Sequence, residues 1–246
     1  MTDQATLYRN TPFYVNGLSI AKASDTTLTI SAGSCADKTN NFDIVIDAPI
    51  TLNAAMTGVN GLDVGSLMAN KVYKVYVIYQ DSRYVSQATL LSLRDTPVMP
   101  AGYDLIRRIG YAITHTGGSS FMLLNQAGVA NDRTYFYDEP VNVLTAGTSA
   151  TFADIDLSVA VPSVDNMKVC LEGLFTPNAA SDTANFRSGG SSATTGYVLS
   201  GATATKVSSE QMSIVSKLVV GVPTVQYKVA ASGSLGVNVV NFTDTL

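Results

Sequence analysis

Hydrophobic and polar positions alternate along much of this chain, with the period of two that a half-buried strand requires. In Thr27-Leu28-Thr29-Ile30-Ser31, Leu28 and Ile30 fall on one face and the hydroxyl residues on the other. The pattern predicts strand over Leu18–Ser31, a turn at Ala32-Gly33-Ser34, and a further strand over Phe42–Asp47 that Pro49 limits. Lys71–Gln80 (KVYKVYVIYQ) places apolar side chains on both faces, which predicts a central strand covered on both sides. Ala88–Arg94 reads as its antiparallel neighbour. The two prolines and glycine of Asp95–Gly102 exclude regular structure there. In Asp104–Thr114 a short helical stripe competes with strand, and Gly110 with the β-branched residues after it decides for an extended segment. Ser120–Asn125 reads as one more strand.

The polar stretch Gln126–Asp132 marks a boundary, beyond which a second series begins. Strands are expected at Thr134–Asp138, Val141–Leu144, Ala150–Asp156, Met167–Phe175, Gly196–Leu199, Ser213–Val220, Val225–Ala230 and Leu235–Phe242. Asp182–Thr195, rich in small residues, reads as a loop or a small-residue edge. Leu62–Ala69 and Ser208–Met212 are the only helical candidates, and both are short. The fold class expected is therefore all-β: two β-sandwich or jelly-roll-like units, the C-terminal one of about seven short strands. The boundaries expected are 1–16, 17–130 for an N-terminal β domain, and 131–246 for a C-terminal β-sandwich domain. Residues 1–16 mix aromatics with a proline and read either as a docking arm laid on a partner or as an ordinary first strand.

Composition strengthens the β reading. Only 14% of the 246 residues are charged, against roughly a quarter in an average soluble domain. Small neutral polar residues take their place, whereas exposed helices favour Glu, Lys and Arg. The net charge is −4, and Arg107-Arg108 is the only basic doublet, so no nucleic-acid partner is expected. No apolar run approaches a membrane span, and the N-terminus lacks the basic start and apolar core of a signal peptide. Synthesis in a cytoplasm without export by that route, and no membrane insertion, are the expectations.

Candidate chemistry is sparse. His115 is the single histidine, and no GxSxG elbow presents a serine to it. Asp154 and Asp156 share one face of a strand and Asp138-Glu139 is a second acidic pair. Such pairs could flank a glycosidic bond, hold calcium weakly or simply be solvated. Cys35 and Cys170 lie far apart with no CxxC spacing, so they are two small buried residues or one disulfide. No P-loop and no zinc ligand set is present, so neither catalytic residues, cofactor nor metal is expected. Among 12 tyrosines, Tyr135-Phe136-Tyr137 forms a compact group that reads as a contact patch or as rings capping the core where two domains meet. With Tyr8, Phe13 and Tyr14 of the first segment, these are the candidate partner contacts.

The stretch Gly61–Gly110 resembles a module of tailed-bacteriophage fibre, appendage and other virion proteins. Its pieces are Asp63, Gly65, Leu67 and Asn70 at the entry; Tyr73, Tyr76 and Tyr79 in a tyrosine strand; Leu91-Ser92; Pro100, Gly102 and Tyr103 in a loop; and Arg107, Arg108 and Gly110. Val72-Tyr73 stands where the family form usually carries an aromatic pair. Thr134–Tyr137 with Pro140-Val141, and Ser232–Leu235 with Val239–Asp244, resemble the opening and close of the C-terminal sandwich of such proteins. The resemblance implies a non-enzymatic virion structural protein, foremost a tail fibre or fibre-attachment component. It also implies a homotrimer that contacts other phage virion proteins and, in some cases, a host surface glycan. A capsid decoration protein or head fibre, a carbohydrate-binding receptor module and a small depolymerase are the alternatives.

Overall fold

The computed structural model describes residues 13–80, 86–128, 131–201, 203–229 and 233–245. Every regular element among them is a strand. The chain divides into two compact units: one runs to Thr134 and takes back the last residues from Asp244, the other is Tyr135–Thr243.

The first unit carries β1 (Val15–Gly17), β2 (Ile20–Lys22), β3 (Thr27–Ile30), β4 (Gly33–Ala36), β5 (Asp43–Ile46), β6 (Ile50–Asn53), β7 (Gly61–Leu62), β8 (Val72–Gln80), β9 (Ser86–Ser92), β10 (Leu105–Ile113) and β11 (Leu124–Ala127). The first ten form three sheets, ordered β1-β4-β5, β2-β3-β6 and β10-β8-β9-β7, while β11 pairs with the later strand that begins at Asp132. Leu28 and Ile30 are buried while Thr27 and Thr29 are partly exposed, as the alternation requires. Their side chains join Val15, Ile44, Leu52, Tyr73, Val75 and Val77 in one core drawn from all three sheets. Each such aliphatic side chain contributes roughly 1.5–3 kcal/mol by leaving water.

Strand β8 is covered on both faces. Tyr73, Val75 and Val77 enter the main core, while Tyr76 and Ile78 pack on the other side with Ala88, Leu90 and Ile106. The irregular Asp95–Gly102 segment and Tyr103 supply the cover there, through Met99 and Tyr103. A reverse turn shapes its end: the Tyr103 N–H donates to the Pro100 carbonyl at 3.2 Å, and Gly102 sits at φ +88°, where a side chain would be strained. Strand β10 is antiparallel to β8 and slips register between Arg108 and Gly110, a β-bulge.

The second unit holds most of β12 (Asp132–Gly147), then β13 (Ala153–Asp156), β14 (Lys168–Thr176), β15 (Thr183–Ser188), β16 (Tyr197–Ser200), β17 (Ser208–Val215), β18 (Lys217–Val219), β19 (Val222–Val229) and most of β20 (Ser234–Thr245). One sheet has the order β12-β20-β14-β17 and the other β13-β19-β15-β16, with β18 on β19. On β14, Val169, Leu171 and Phe175 alternate inward. A Cβ added to Gly173 of that strand would lie 3.2 Å from Leu199 and 3.3 Å from Phe186, both on the opposite sheet. The two sheets thus pack face to face as a sandwich.

Several expectations are corrected. Gly33 and Ser34 are not a turn but the start of β4, paired with both β1 and β5. Leu62–Ala69 and Ser208–Met212 are not helical; the first contributes only Leu62 to β7, and the second opens β17, paired with β14. Ser120–Asn125 is a strand only from Leu124, with Phe121 in an isolated bridge to Thr114. Pro140 does not divide two strands, because its fixed φ is compatible with extended backbone and β12 runs through it. Asp182–Thr195 is neither loop nor edge throughout, since β15 lies between β19 and β16 and buries Ala184 and Phe186.

Candidate functional site

The separated pieces of the Gly61–Gly110 stretch converge on a few side chains. Asp63 is 7% exposed. One of its carboxylate oxygens accepts from the Val64 N–H at 2.8 Å; the other accepts from the Ser92 hydroxyl at 2.8 Å and the Val98 N–H at 3.1 Å. The Ser92 hydroxyl in turn accepts from the Arg94 N–H at 2.9 Å. One carboxylate therefore ties the entry, the end of β9 and the proline loop together. The Tyr76 hydroxyl donates to the Arg94 carbonyl at 2.9 Å; burial, reinforced by Asp95, pushes its phenol up to about 12. The Tyr103 hydroxyl meets that of Ser86 at 2.9 Å. Tyr73 accepts from the Met68 N–H at 2.8 Å, and burial raises its phenol as well.

The arginine doublet lies on β10 with its two side chains engaged differently. Arg107, 9% exposed, donates to the Phe13 carbonyl at 2.7 Å and places its guanidinium 5.6 Å from the Phe13 ring centroid. Desolvation lowers its pKa. Arg108 pairs with Asp244 at 2.9 Å and lies 4.7 Å over the Tyr111 ring. Burial raises the Asp244 carboxyl, and Arg108 offsets this only in part. The Lys38 N–H donates to the Ile106 carbonyl at 2.8 Å, which brings the loop after β4 to the same strand. Asp37, at the root of that loop, accepts from Thr39, Asn41 and Phe42. Burial pushes its carboxyl up, but these hydrogen bonds outweigh burial and hold it below the usual range.

A cavity of about 300 Å³ opens beside β10. Lys38, Arg107 and Arg108 supply its positive charge, Asp95 its negative charge, and Tyr76 and Met99 part of its apolar lining. Of these, the sequence singled out the arginines and Tyr76. Lys38 and Asp95 carry no sequence signal, because tertiary hydrogen bonding alone brings the loop of one and the ion pair of the other to this place.

The expected contact residues separate into two kinds. Tyr8 and residues 1–12 as a whole lie outside the described residues. Phe13 is 46% exposed against Arg107, whereas Tyr14 is buried and donates to Asp43 at 3.0 Å. Val15 and Asn16 belong to β1. In the second unit Tyr135 and Tyr137 are buried and share Phe242: Tyr135 stacks on it at 4.8 Å, and Tyr137 meets it tilted at 6.3 Å. The Tyr137 hydroxyl donates to the Ala160 carbonyl. Phe136 points the other way along the strand and is 39% exposed.

One of the two carboxylate pairs is held by neighbours. Asp154 accepts from the Gln226 amide at 2.7 Å, and Asp156 accepts from the Ser158 N–H at 2.7 Å. Asp138 and Glu139 are exposed on adjacent strand positions, which face opposite ways. Half-buried His115 has its backbone bonded to Asn70 and Ser120. Cys35 and Cys170 are free thiols, and burial pushes Cys35 up to about 12, which makes it a poor nucleophile. No group of three or more potential metal ligands occurs among the described residues, and no helix there is long and apolar enough to cross a membrane. No family model matches the chain, and neither a curated protein nor a solved structure matches it.

Proposed function

We propose that this chain is a non-enzymatic structural protein of a tailed-phage particle, foremost a tail fibre or fibre-attachment component that assembles as a homotrimer with other virion proteins. The observation that carries the reading is the use made of the residues behind the resemblance. Asp63, Ser92, Tyr73, Tyr76 and Tyr103 hydrogen-bond within one unit, and Arg107 and Arg108 hold Phe13 and Asp244. Their side chains serve as ties between distant segments, which supports the reading of these residues as a scaffold.

The edges of the second unit favour assembly. Strand β17, eight residues long and mostly exposed, ends one sheet, and β16 ends the other path. Tyr197 and Val198 of β16 and Val215 of β17 are exposed. Strand edges exposed to solvent invite association, and closed symmetry satisfies them without open-ended growth. Light scattering on the purified chain tests the assembly. Three copies of the 25.9 kDa chain are expected, and a monomer at all concentrations would contradict it. A polysaccharide-cleavage assay tests the other half of the reading: sugar release that Asp154→Asn abolishes would overturn the non-enzymatic assignment.

A further inference from the structure

Strand β18 and the start of β19 form a hairpin whose tip the second unit does not use. Val219 pairs with Val222, so Val220 and Gly221 alone make the turn, at φ +51° and +80°. A two-residue hairpin turn with positive φ at both central positions favours Asn, Asp or Gly at the first. A β-branched side chain there is strained. Val220 gains no burial in return: it is 98% exposed, while the next most exposed large hydrophobic among the described residues, Met56, stands at 57%. A strained apolar residue left in water, at a position that Asn would suit better, points to a contact made outside the chain.

The tip is apolar, neutral and anchored at its base. Leu218 is exposed beside Val220, and Val219 and Val222 are partly exposed. Lys217, the one ionic side chain of residues 217–223, lies 3.7 Å from Asp165, and the Leu218 N–H donates to the same carboxylate at 3.0 Å. Pro223 is buried, and its carbonyl accepts from the Leu157 N–H at 2.9 Å. With its cation matched, the tip offers no free charge to an anionic lipid surface and suits an uncharged apolar one. Four side chains at a tip fall short of the roughly 1,200–2,000 Å² that a specific interface buries, so the tip must belong to a larger contact. The chain supplies the adjoining part. Val215, exposed at the end of β17, is separated from β18 only by Ser216, and β17 is a free sheet edge. We propose that the Val220 tip is buried against a second copy of this chain, as the apolar end of the contact made by the β17 edge. This rests on the assembly proposed above and names the residue that anchors it.

Sedimentation equilibrium of the full chain, of Val220→Asn and of Val220→Ile tests this. Because Asn suits the turn, Val220→Asn should melt no lower than the parent at a dilution where both are monomeric. Its assembly should nevertheless come apart at a protein concentration at least about 10-fold higher, as expected when a buried apolar contact becomes polar. Val220→Ile keeps a β-branched apolar side chain and should assemble as the parent does. Dissociation of Val220→Asn at the parent's concentration would overturn the tip contact and leave the assembly standing. A loss in Val220→Ile as large as in Val220→Asn would do the same. A parent chain that stays monomeric would overturn the assembly and this inference with it.

Discussion

The carboxylate of Asp63 and the hydroxyl of Ser92, 29 positions apart in the chain, meet at 2.8 Å in a buried hydrogen bond. Removing the carboxylate leaves the Ser92 hydroxyl and the Val98 N–H without this acceptor. Asp63→Ala is therefore expected to cost about 3 kcal/mol, since each buried group left unsatisfied costs about 1–3 kcal/mol. Asp63→Asn retains one oxygen and should cost about half as much. Urea denaturation monitored by tyrosine fluorescence checks both.

Asp37 behaves as an acid-sensitive tie. Its carboxyl is held below the usual range by the hydrogen bonds of Thr39, Asn41 and Phe42, which outweigh burial. A carboxylate whose folded pKa is depressed stabilises above its unfolded value, near 3.8 here, and loses that contribution as pH falls through the folded value. Asp37→Ala should therefore destabilise by about 1–3 kcal/mol at about pH 7, and the difference from the parent should shrink at about pH 2.5. Paired denaturation curves at the two pH values read this directly.

Asp244 has the opposite sign. Burial raises its carboxyl above 3.8 despite the Arg108 pair. The folded state then holds its proton longer than the unfolded chain does, so this group's contribution is greatest at low pH and falls as pH rises from about 3.8 through the folded value. Asp244→Asn should remove that decline and leave a flatter stability profile over the same interval. Melting temperatures measured across it distinguish the two proteins.

Phe242 is completely buried and serves both Tyr135 and Tyr137. Phe242→Ala opens a cavity between two rings and should cost about 3–5 kcal/mol. Tyr135→Phe retains the stacked ring and should cost less than Phe242→Ala. Calorimetry of the three proteins ranks them.

Periodicity revealed those parts of the fold where side chains of unlike character alternate. Leu28 and Ile30 declare β3, and the two-sided apolar pattern of Lys71–Gln80 declares a central strand. It was silent where pairing alone makes the strand. Gly33-Ser34 has no hydrophobic signal, yet β4 is held from both sides by β1 and β5. The polar residues Ser208–Gln211 would suit a helix surface, but their ladder to β14 makes them an edge strand with most side chains in water. The cavity was legible only in its arginine doublet and Tyr76. Lys38 reaches it through a backbone hydrogen bond to Ile106, and Asp95 through an ion pair with Lys74. Neither contact follows from spacing along the chain.

The proposed role puts this chain in a phage particle. A cryo-EM map of the particle, into which the two units are fitted separately, tests it most directly. Three symmetry-related copies in an appendage of the tail are expected. A particle that lacks the chain would contradict the structural role, and copies arrayed on the capsid would contradict the tail assignment.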